Sequence, residues 1–136
     1  MLVDGIGVPL AMVITGANRH DVSQLETLLG SIIIEQPDPF EEPQNLCLDK
    51  GYTGEPALEL VVLRGFIPHI KSRGQEKSNK EQNPTYKARR WVVEVTHSWM
   101  NRFRKLLVRY EKLTTSYKAL LMLSCAFIAL RKAEVI

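Results

Sequence analysis

The chain has 136 residues, of which 45% are hydrophobic and 24% charged, and its formal net charge is +3. This size suits one globular domain with its own core, and neither a signal peptide nor a membrane span is expected, since Ser124, Cys125 and Arg131 interrupt the longest apolar run. Cys47 and Cys125 have no second cysteine nearby, which argues against a zinc ribbon or redox motif. Both are expected to be buried free thiols in a reducing cytoplasm.

The positive charge is concentrated in one part of the chain. Residues 71–112 contain 12 Lys and Arg against 4 Asp and Glu, whereas the remainder contains 6 against 11. Such segregation is typical of a basic surface that binds a polyanion. The alternative is a solvated loop and helix surface, and charge alone favours the two about equally.

Apolar periodicity and turn residues predict six elements in the first seventy residues. They are strands at 1–4 and 8–15 joined as a hairpin, a helix from about 21 to 34, a strand at 45–49, a helix from 56 to 64 and a strand at 66–70. The second strand is rich in β-forming residues apart from Pro9 near its start, which lacks a backbone N–H group. Asp21 or Ser23 is expected to cap the first helix, whose apolar face carries Leu25 and Leu29.

The remainder of the chain predicts a loop and two helices. Residues 71–85 are polar and charged, and we expect a mobile basic loop there. The C-terminal helices occupy 87–133: one runs from about 87 to 110, and a more apolar one from 116 to 132 is expected to be buried on most sides. This order predicts an α/β fold with a mixed sheet whose first pair is antiparallel, contained in one domain over 1–136.

Asp49 ends a predicted strand and precedes Lys50, Gly51 and Tyr52. The carboxyl ends of strands are where ligands and catalytic groups gather in α/β proteins, and Gly51 allows a sharp turn. The alternative is that Asp49 only caps this turn. The residues alone leave both interpretations open.

Glu94 is the acidic residue within an apolar stretch of the longer predicted helix. Arg90 lies one turn before it and His97 nearly one turn after, so the three share a helix face. One interpretation is an ion pair with Arg90. The other is a metal ligand, because Mg²⁺ prefers carboxylate oxygens, and two such ions can activate a nucleophile at a phosphodiester.

Other polar and aromatic residues predict structural roles. The three histidines lack the spacing of zinc ligands, and Asp4 lies in a hairpin turn, so it is not counted as catalytic. Trp91 and Trp99 are more typical of core anchors than of platforms on which bases stack.

Three segments at this spacing resemble the transposases of bacterial insertion sequences that share the DDE catalytic domain. The resemblance covers nearly the whole chain. The segments are Leu2-Val3-Asp4-Gly5-Ile6-Gly7-Val8-Pro9-Leu10 leading to Thr15-Gly16-Ala17-Asn18-Arg19-His20-Asp21, then Leu46-Cys47-Leu48-Asp49-Lys50-Gly51-Tyr52, and Arg89-Arg90-Trp91-Val92-Val93-Glu94 with Thr96-His97-Ser98-Trp99 and Asn101-Arg102-Phe103-Arg104.

The resemblance implies a ribonuclease H-like mixed sheet flanked by helices, in which two Asp and a late-helix Glu bind two Mg²⁺ or Mn²⁺ ions. The second Asp maps to Asp49, the Glu to Glu94, and Arg90 matches the family's arginine four residues earlier. The first Asp would precede residue 1. The resemblance therefore implies a truncated catalytic domain that lacks its first strand and leaves 8–15 and 45–49 poorly paired.

The implied reaction is metal-dependent cleavage of DNA at element ends and strand transfer into target DNA, and we expect the chain alone to be inactive. The implied context is cytoplasmic, with a homodimer when intact and no membrane contact. A non-catalytic nucleic-acid-binding or oligomerisation relic is the alternative, and a ribonuclease H-type nuclease is a third possibility. The expected DNA contacts are Lys71, Arg73, Arg89, Arg104, Lys105 and either Asn101 or Arg102.

Overall fold

The computed structural model describes residues 1–16, 18–70 and 91–134, and it divides the α/β chain into two units. The terminal unit consists of Met1–Ile14 and the chain from Trp91 on, and the central unit begins at Thr15. The predicted mobile loop at 71–85 and the predicted start of a helix at 87–90 lie outside the described residues.

A short hairpin opens the terminal unit. Strands β1 (Leu2–Val3) and β2 (Pro9–Ala11) pair antiparallel, which confirms the predicted hairpin. Both strands are shorter than predicted, and residues 12–15 are not in a strand. Pro9 is the first residue of β2, a position where a residue without an N–H group is tolerated.

The side chain of Asp4 holds the turn of this hairpin. Its Oδ1 accepts hydrogen bonds from the backbone N–H groups of Ile6 (2.9 Å) and Val8 (2.8 Å). Gly7 follows with a φ of 91°, a left-handed conformation that glycine adopts without strain. Asp4 therefore has the structural turn role that the sequence predicts.

Three helices complete the terminal unit. The single helix predicted over 87–110 is wrong, because the first helix ends at Met100 and Phe103 is extended (φ −83°, ψ 105°). The ring of Phe103 instead packs against Phe127, with 6.2 Å between centroids, and this tertiary contact is invisible to helical periodicity. The three helices are α3 (Trp91–Met100), α4 (Arg104–Leu107) and α5 (Thr114–Lys132).

The core of the terminal unit contains Met100, Leu121 and Ile128. On α5 the buried positions Leu121, Ser124 and Ile128 recur every three or four residues, so one stripe of the helix faces the core. The prediction that this helix is buried on most sides is wrong. Four of its other apolar side chains are 41–55% exposed, namely Met122, Leu123, Phe127 and Leu130.

The central unit alternates helices and strands. A 3-10 turn (Asp21–Gln24) leads into α1 (Leu25–Gly30), and β3 (Gln44–Leu48) leads through a second 3-10 turn (Lys50–Tyr52) to α2 (Glu55–Leu63) and β4 (Phe66–Ile70). β3 and β4 pair in parallel, with Gln44 opposite Phe66 and Leu48 opposite Ile70. The buried apolar residues of the central unit are Leu25, Leu29, Leu46, Ala57 and Val61.

The strands of the described residues form two separate two-stranded sheets, β1–β2 and β3–β4. The prediction of an α/β fold with an antiparallel first pair is confirmed, whereas the single mixed sheet is not formed among these residues. Both strands of each pair are edge strands among the described residues, so their outer backbone N–H and C=O groups could pair with a further strand.

The first helix ends four residues before the predicted limit. The last residue of α1 is Gly30, a weak helix former, and the Ser31 hydroxyl donates to the carbonyl of Leu28 at 2.8 Å, which satisfies one terminal acceptor. Neither Asp21 nor Ser23 caps this helix, because the N-cap position of α1 is occupied by Gln24 and that of the preceding 3-10 turn by His20.

The two cysteines differ in exposure. Cys125 is half-buried, whereas Cys47 is exposed, so the expectation of a buried thiol is wrong for Cys47. Successive strand residues point to opposite faces, and in β3 the buried position is the neighbouring Leu46.

Candidate catalytic carboxylates and basic surface

Asp49 stands at the carboxyl end of β3, where its side chain caps the following 3-10 turn. Its Oδ1 accepts a hydrogen bond from the backbone N–H of Gly51 at 2.7 Å. The residue is exposed, and no second hydrogen bond to its carboxylate is formed within the described residues. Asp49 is therefore a turn cap, and its other oxygen faces no hydrogen-bond donor in the described part of the chain.

Tyr52 is the last residue of this turn, and the charge of a second carboxylate, that of Asp21, acts on its phenol. Burial raises the pKa of the Tyr52 phenol, and the negative charges of Asp21 and Asp49 raise it further. The two 3-10 turns that carry these acids contact one another within the central unit. Sequence reasoning interpreted Asp21 as a helix cap and missed this proximity, because no local spacing relates residue 21 to residue 49.

Glu94 lies on the exposed side of α3. The opposite side of the helix is buried through Val92, Thr96 and Met100. The hydroxyl of Thr96 lies 2.8 Å from the carbonyl oxygen of Gly7 and 3.1 Å from that of Val92, and it can donate to either. The hairpin thereby fixes the orientation of α3 within the terminal unit, so Glu94 projects to solvent.

The predicted neighbours of Glu94 are only partly described. Arg90 lies outside the described residues, so its predicted pair with Glu94 stays a prediction. The pKa of His97 is lowered by burial first and by the positive N-terminal amino group second, so its imidazole is neutral at pH 7. No ion pair joins His97 to Glu94 in the described part of the chain.

The predicted DNA-contact residues that the structure describes are exposed. Asn101 and Arg102 occupy the break after α3, and Arg104 and Lys105 open α4. Among residues 1–16, 18–70 and 91–134, Arg64 and Glu26 form an ion pair, and no other ion pair is formed. Arg102, Arg104 and Lys105 therefore have no acidic partner in the described structure. Three predicted contacts lie outside the described residues, namely Lys71, Arg73 and Arg89.

The two tryptophans of α3 have different surroundings. Trp99 is half-buried, and the Nζ of Lys132 lies 4.5 Å from the centroid of its ring. Trp91 is 52% exposed. The expectation of a core anchor is confirmed for Trp99 and is wrong for Trp91, because Trp91 lies on the same side of the helix as Glu94.

Asp49 belongs to the central unit and Glu94 to the terminal unit. Among the described residues, no three His, Cys, Asp or Glu side chains are grouped so that they could hold a metal ion. Each carboxylate taken by itself is exposed and offers oxygen donors, which suit Mg²⁺ or Mn²⁺. Their chemistry fits a hard divalent cation. In the described part of the chain, no helix has the length and apolar character of a membrane span.

Comparisons with known proteins point to one family. Residues 46–131 match the family model of the transposase DDE domain. The transposase assigned to insertion sequence element IS402 of Burkholderia cepacia is 34% identical over 140 residues, covering 98% of this chain and 64% of that relative. The one assigned to IS6501 of Brucella ovis is 28% identical, covering 96% of this chain and 95% of the relative. No solved structure matches.

Proposed function

Because the chain belongs to the DDE transposases of bacterial insertion sequences, we propose that it forms part of an enzyme that cuts DNA at element ends and joins it to target DNA. The observation that carries this proposal is the family match over residues 46–131, which includes both Asp49 and Glu94. The chain spans 64% of the length of the IS402 relative, so the whole reaction is proposed and not assigned to these residues alone.

Asp49 and Glu94 are the proposed ligands of Mg²⁺ or Mn²⁺. Two such ions, when bound, activate the attacking water or 3′ hydroxyl and stabilise the leaving oxygen. Asp49 can fill this role because only one of its oxygens is used by the Gly51 N–H in the described structure. Glu94 can do so because it is exposed on a helix whose opposite face is anchored. Arg90 would orient Glu94 or contact a phosphate.

The fold that we propose for the active protein is the ribonuclease H-like one of the family. The parallel β3–β4 pair and the antiparallel β1–β2 pair are compatible with parts of one mixed sheet, since each keeps an unpaired edge among the described residues. That family uses three acidic ligands, and these 136 residues supply two of them in the proposal. We therefore infer that the chain by itself has little or no strand-transfer activity.

This inference is tested by incubating the purified 136-residue chain with Mg²⁺ and DNA. We expect no cleavage above the level of an Asp49→Ala variant, because two carboxylates hold the ions too weakly. Mg²⁺-dependent cleavage by the unaltered chain that is abolished in Asp49→Ala would contradict the inference.

The basic residues are proposed to hold the DNA backbone. Arg102, Arg104 and Lys105 are exposed cations without an acidic partner in the described structure, and Lys71, Arg73 and Arg89 are further proposed contacts. Binding through phosphates is largely independent of sequence and falls with salt concentration. The protein would act in the cytoplasm, as a homodimer when intact.

The DNA-binding part is tested by measuring affinity for a duplex against salt concentration. The double variant Arg104→Ala/Lys105→Ala should flatten the plot of log affinity against log salt by roughly two, about one for each lost contact. Lys118→Ala, which removes an exposed lysine from α5, is the matched control and should leave the slope unchanged. Equal effects of the two changes would refute a specific role for α4.

One observation favours a non-catalytic alternative. Several apolar side chains of α5, among them Met122 and Leu123, are about half exposed. A relic that binds nucleic acid or associates through the exposed apolar side chains of α5 would need no metal. Metal-independent DNA binding, unchanged in Glu94→Ala, would support this alternative, whereas Mn²⁺ binding that is weakened in both Asp49→Asn and Glu94→Gln would exclude it.

A further inference from the structure

The connection between α1 and β3 exposes three large apolar side chains. Phe40 is 97% exposed, Ile33 92% and Ile34 53%, although each would gain free energy by leaving water. Single exposed apolar residues are ordinary, whereas a group of them rimmed by polar residues favours an interaction site. We call residues 33–42 the acidic loop, because they also carry four carboxylates and no Lys or Arg.

A turn with its own hydrogen bonds presents the Phe40 ring. The Oδ1 of Asp38 accepts a hydrogen bond from the backbone N–H of Phe40 at 2.8 Å, and the Asp38 carbonyl accepts one from that of Glu42, also at 2.8 Å. Pro39 lies against Gly65, since a Cβ on that glycine would come within 2.7 Å of the proline ring. The backbone that carries the exposed ring is therefore fixed before a partner binds, which lowers the entropy cost of binding.

The charge of the acidic loop indicates the kind of partner. Glu35, Asp38 and Glu42 line one open depression on the central unit. Residues 20–49 contain no Lys or Arg, and no carboxylate of the acidic loop forms an ion pair with any of the described residues. A partner surface that fits must therefore offer cations next to apolar side chains.

The terminal unit has a surface of this kind. Arg102, Arg104 and Lys105 are exposed and have no acidic partner among the described residues. Residues 102–113, which we call the basic segment, contain five Lys and Arg and one Glu. Four large apolar side chains of this segment are 50–73% exposed, namely Leu107, Val108, Tyr110 and Leu113. The basic segment is therefore complementary to the acidic loop in charge and matches it in apolar character.

We propose that the acidic loop of one copy of this chain binds the basic segment of a second copy. This inference rests on the homodimer of the proposed function and names its interface. In a two-fold dimer each copy supplies one loop and one segment, so the contact forms twice and the assembly closes. Phe40 is the apolar anchor of each contact, and the carboxylates around it pair with Arg104 and Lys105. The same cations are proposed to bind phosphates, so association and DNA binding exclude each other.

Charge reversal tests which surfaces meet. Sedimentation velocity of the 136-residue chain at low salt should show a concentration-dependent dimer. Glu41→Lys/Glu42→Lys and Arg104→Glu/Lys105→Glu should each stay monomeric, because like charges then face one another in both contacts. An equimolar mixture of the two variants should dimerise again, since every loop then meets a segment of opposite charge. Variants that stay monomeric when mixed would overturn the proposal.

Phe40→Ala tests the apolar anchor. It should weaken the dimer about tenfold, the scale on which an aromatic side chain at the centre of an interface contributes. Leu63→Ala is the matched control and should dimerise as the unaltered chain does, because Leu63 is 83% exposed on α2 of the same unit and lies outside the acidic loop. Neither side chain is buried, so both variants should keep the circular dichroism spectrum of the unaltered chain. Equal weakening by the two changes would overturn the proposal.

A short DNA duplex separates this inference from the proposed function. Because the cations are shared, an excess of duplex should convert the dimer into a DNA-bound monomer. A dimer that persists with bound duplex would overturn the inference and leave DNA binding intact. An unaltered chain that is monomeric at every concentration would also overturn it, whereas the intact protein could still dimerise through other residues. If the chain binds no duplex but the mixed variants dimerise, the proposed DNA surface fails and the contact between loop and segment stands.

Discussion

The surroundings of Asp49 and Glu94 show two ways of placing a carboxylate. Asp49 is positioned locally, since its Oδ1 bonds to the N–H of Gly51 two residues later. Glu94 is positioned from a distance, because the Thr96 hydroxyl on its helix reaches the Gly7 carbonyl across 89 residues of sequence. A local motif therefore suffices for the first carboxylate, whereas the second depends on the packing of the whole terminal unit.

This contrast predicts that replacement of Gly7 lowers the free energy of unfolding most, although Gly7 is remote in sequence from both carboxylates. Gly7 has a positive φ, and a Cβ there would lie 3.0 Å from the Thr96 Oγ1 and 3.1 Å from the Trp99 ring. Gly7→Ala should lower the free energy of unfolding by about 2–3 kcal/mol, since left-handed strain costs about 1–2 kcal/mol before the crowding is added. Urea denaturation measures this change.

Gly5→Ala is the control for Gly7→Ala. Gly5 is exposed in the same turn and is not among the glycines with positive φ. Its replacement should change stability by less than about 0.5 kcal/mol. If both substitutions destabilise the chain equally, the close packing of hairpin and α3 does not hold Glu94 in place.

A smaller effect is expected at Asp49. Asp49→Ala removes the cap of the 3-10 turn and should cost about 1 kcal/mol, whereas Asp49→Asn keeps an oxygen that accepts from Gly51 and should be nearly neutral. Thermal unfolding of both variants measures the difference. A loss of stability in Asp49→Asn as large as in Asp49→Ala would show that the charge, and not the hydrogen bond, holds the turn.

The smallest effect is a pH dependence in the terminal unit. The pKa of His97 is lowered from 6.5 in the folded chain, first by burial and then by the N-terminal charge, so the unfolded chain binds this proton more readily. The contribution of His97 is therefore fully present above pH 6.5 and is lost as pH falls through the lowered pKa. Melting temperatures at pH 7.5 and 5.5 should converge in His97→Gln, whereas His20→Gln should retain the difference of the unaltered chain.

The sequence predicts elements well where the pattern is local. The strand Phe66–Ile70 agrees with its predicted limits, and α5 begins two residues earlier than predicted. The turn of Asp4 is also correct, because short polar side chains that bond to their own backbone leave a local signature. Asp49 is recognisable as a strand-end carboxylate for the same reason.

Features that depend on distant contacts are not predicted. The break after Met100 follows from the packing of Phe103 on Phe127, and the proximity of Asp21 to Tyr52 from the contact between two turns. Trp91 illustrates the same limit, because an apolar residue at helical spacing predicts burial until the other side of the helix is known to be filled. Whether Asp49 and Glu94 share metal ions stays a proposal.

The terminal unit is assembled from two separated stretches, Met1–Ile14 and the chain from Trp91 on. This arrangement determines the order in which the unit can fold during synthesis on the ribosome. The hairpin is synthesised first, yet its partner Thr96 emerges only after the whole central unit. Until then the β1–β2 pair is a two-stranded hairpin without a core, which is marginally stable in water. Closing so long a loop also slows folding, so nascent chains should stay protease-sensitive at the hairpin until α5 has emerged.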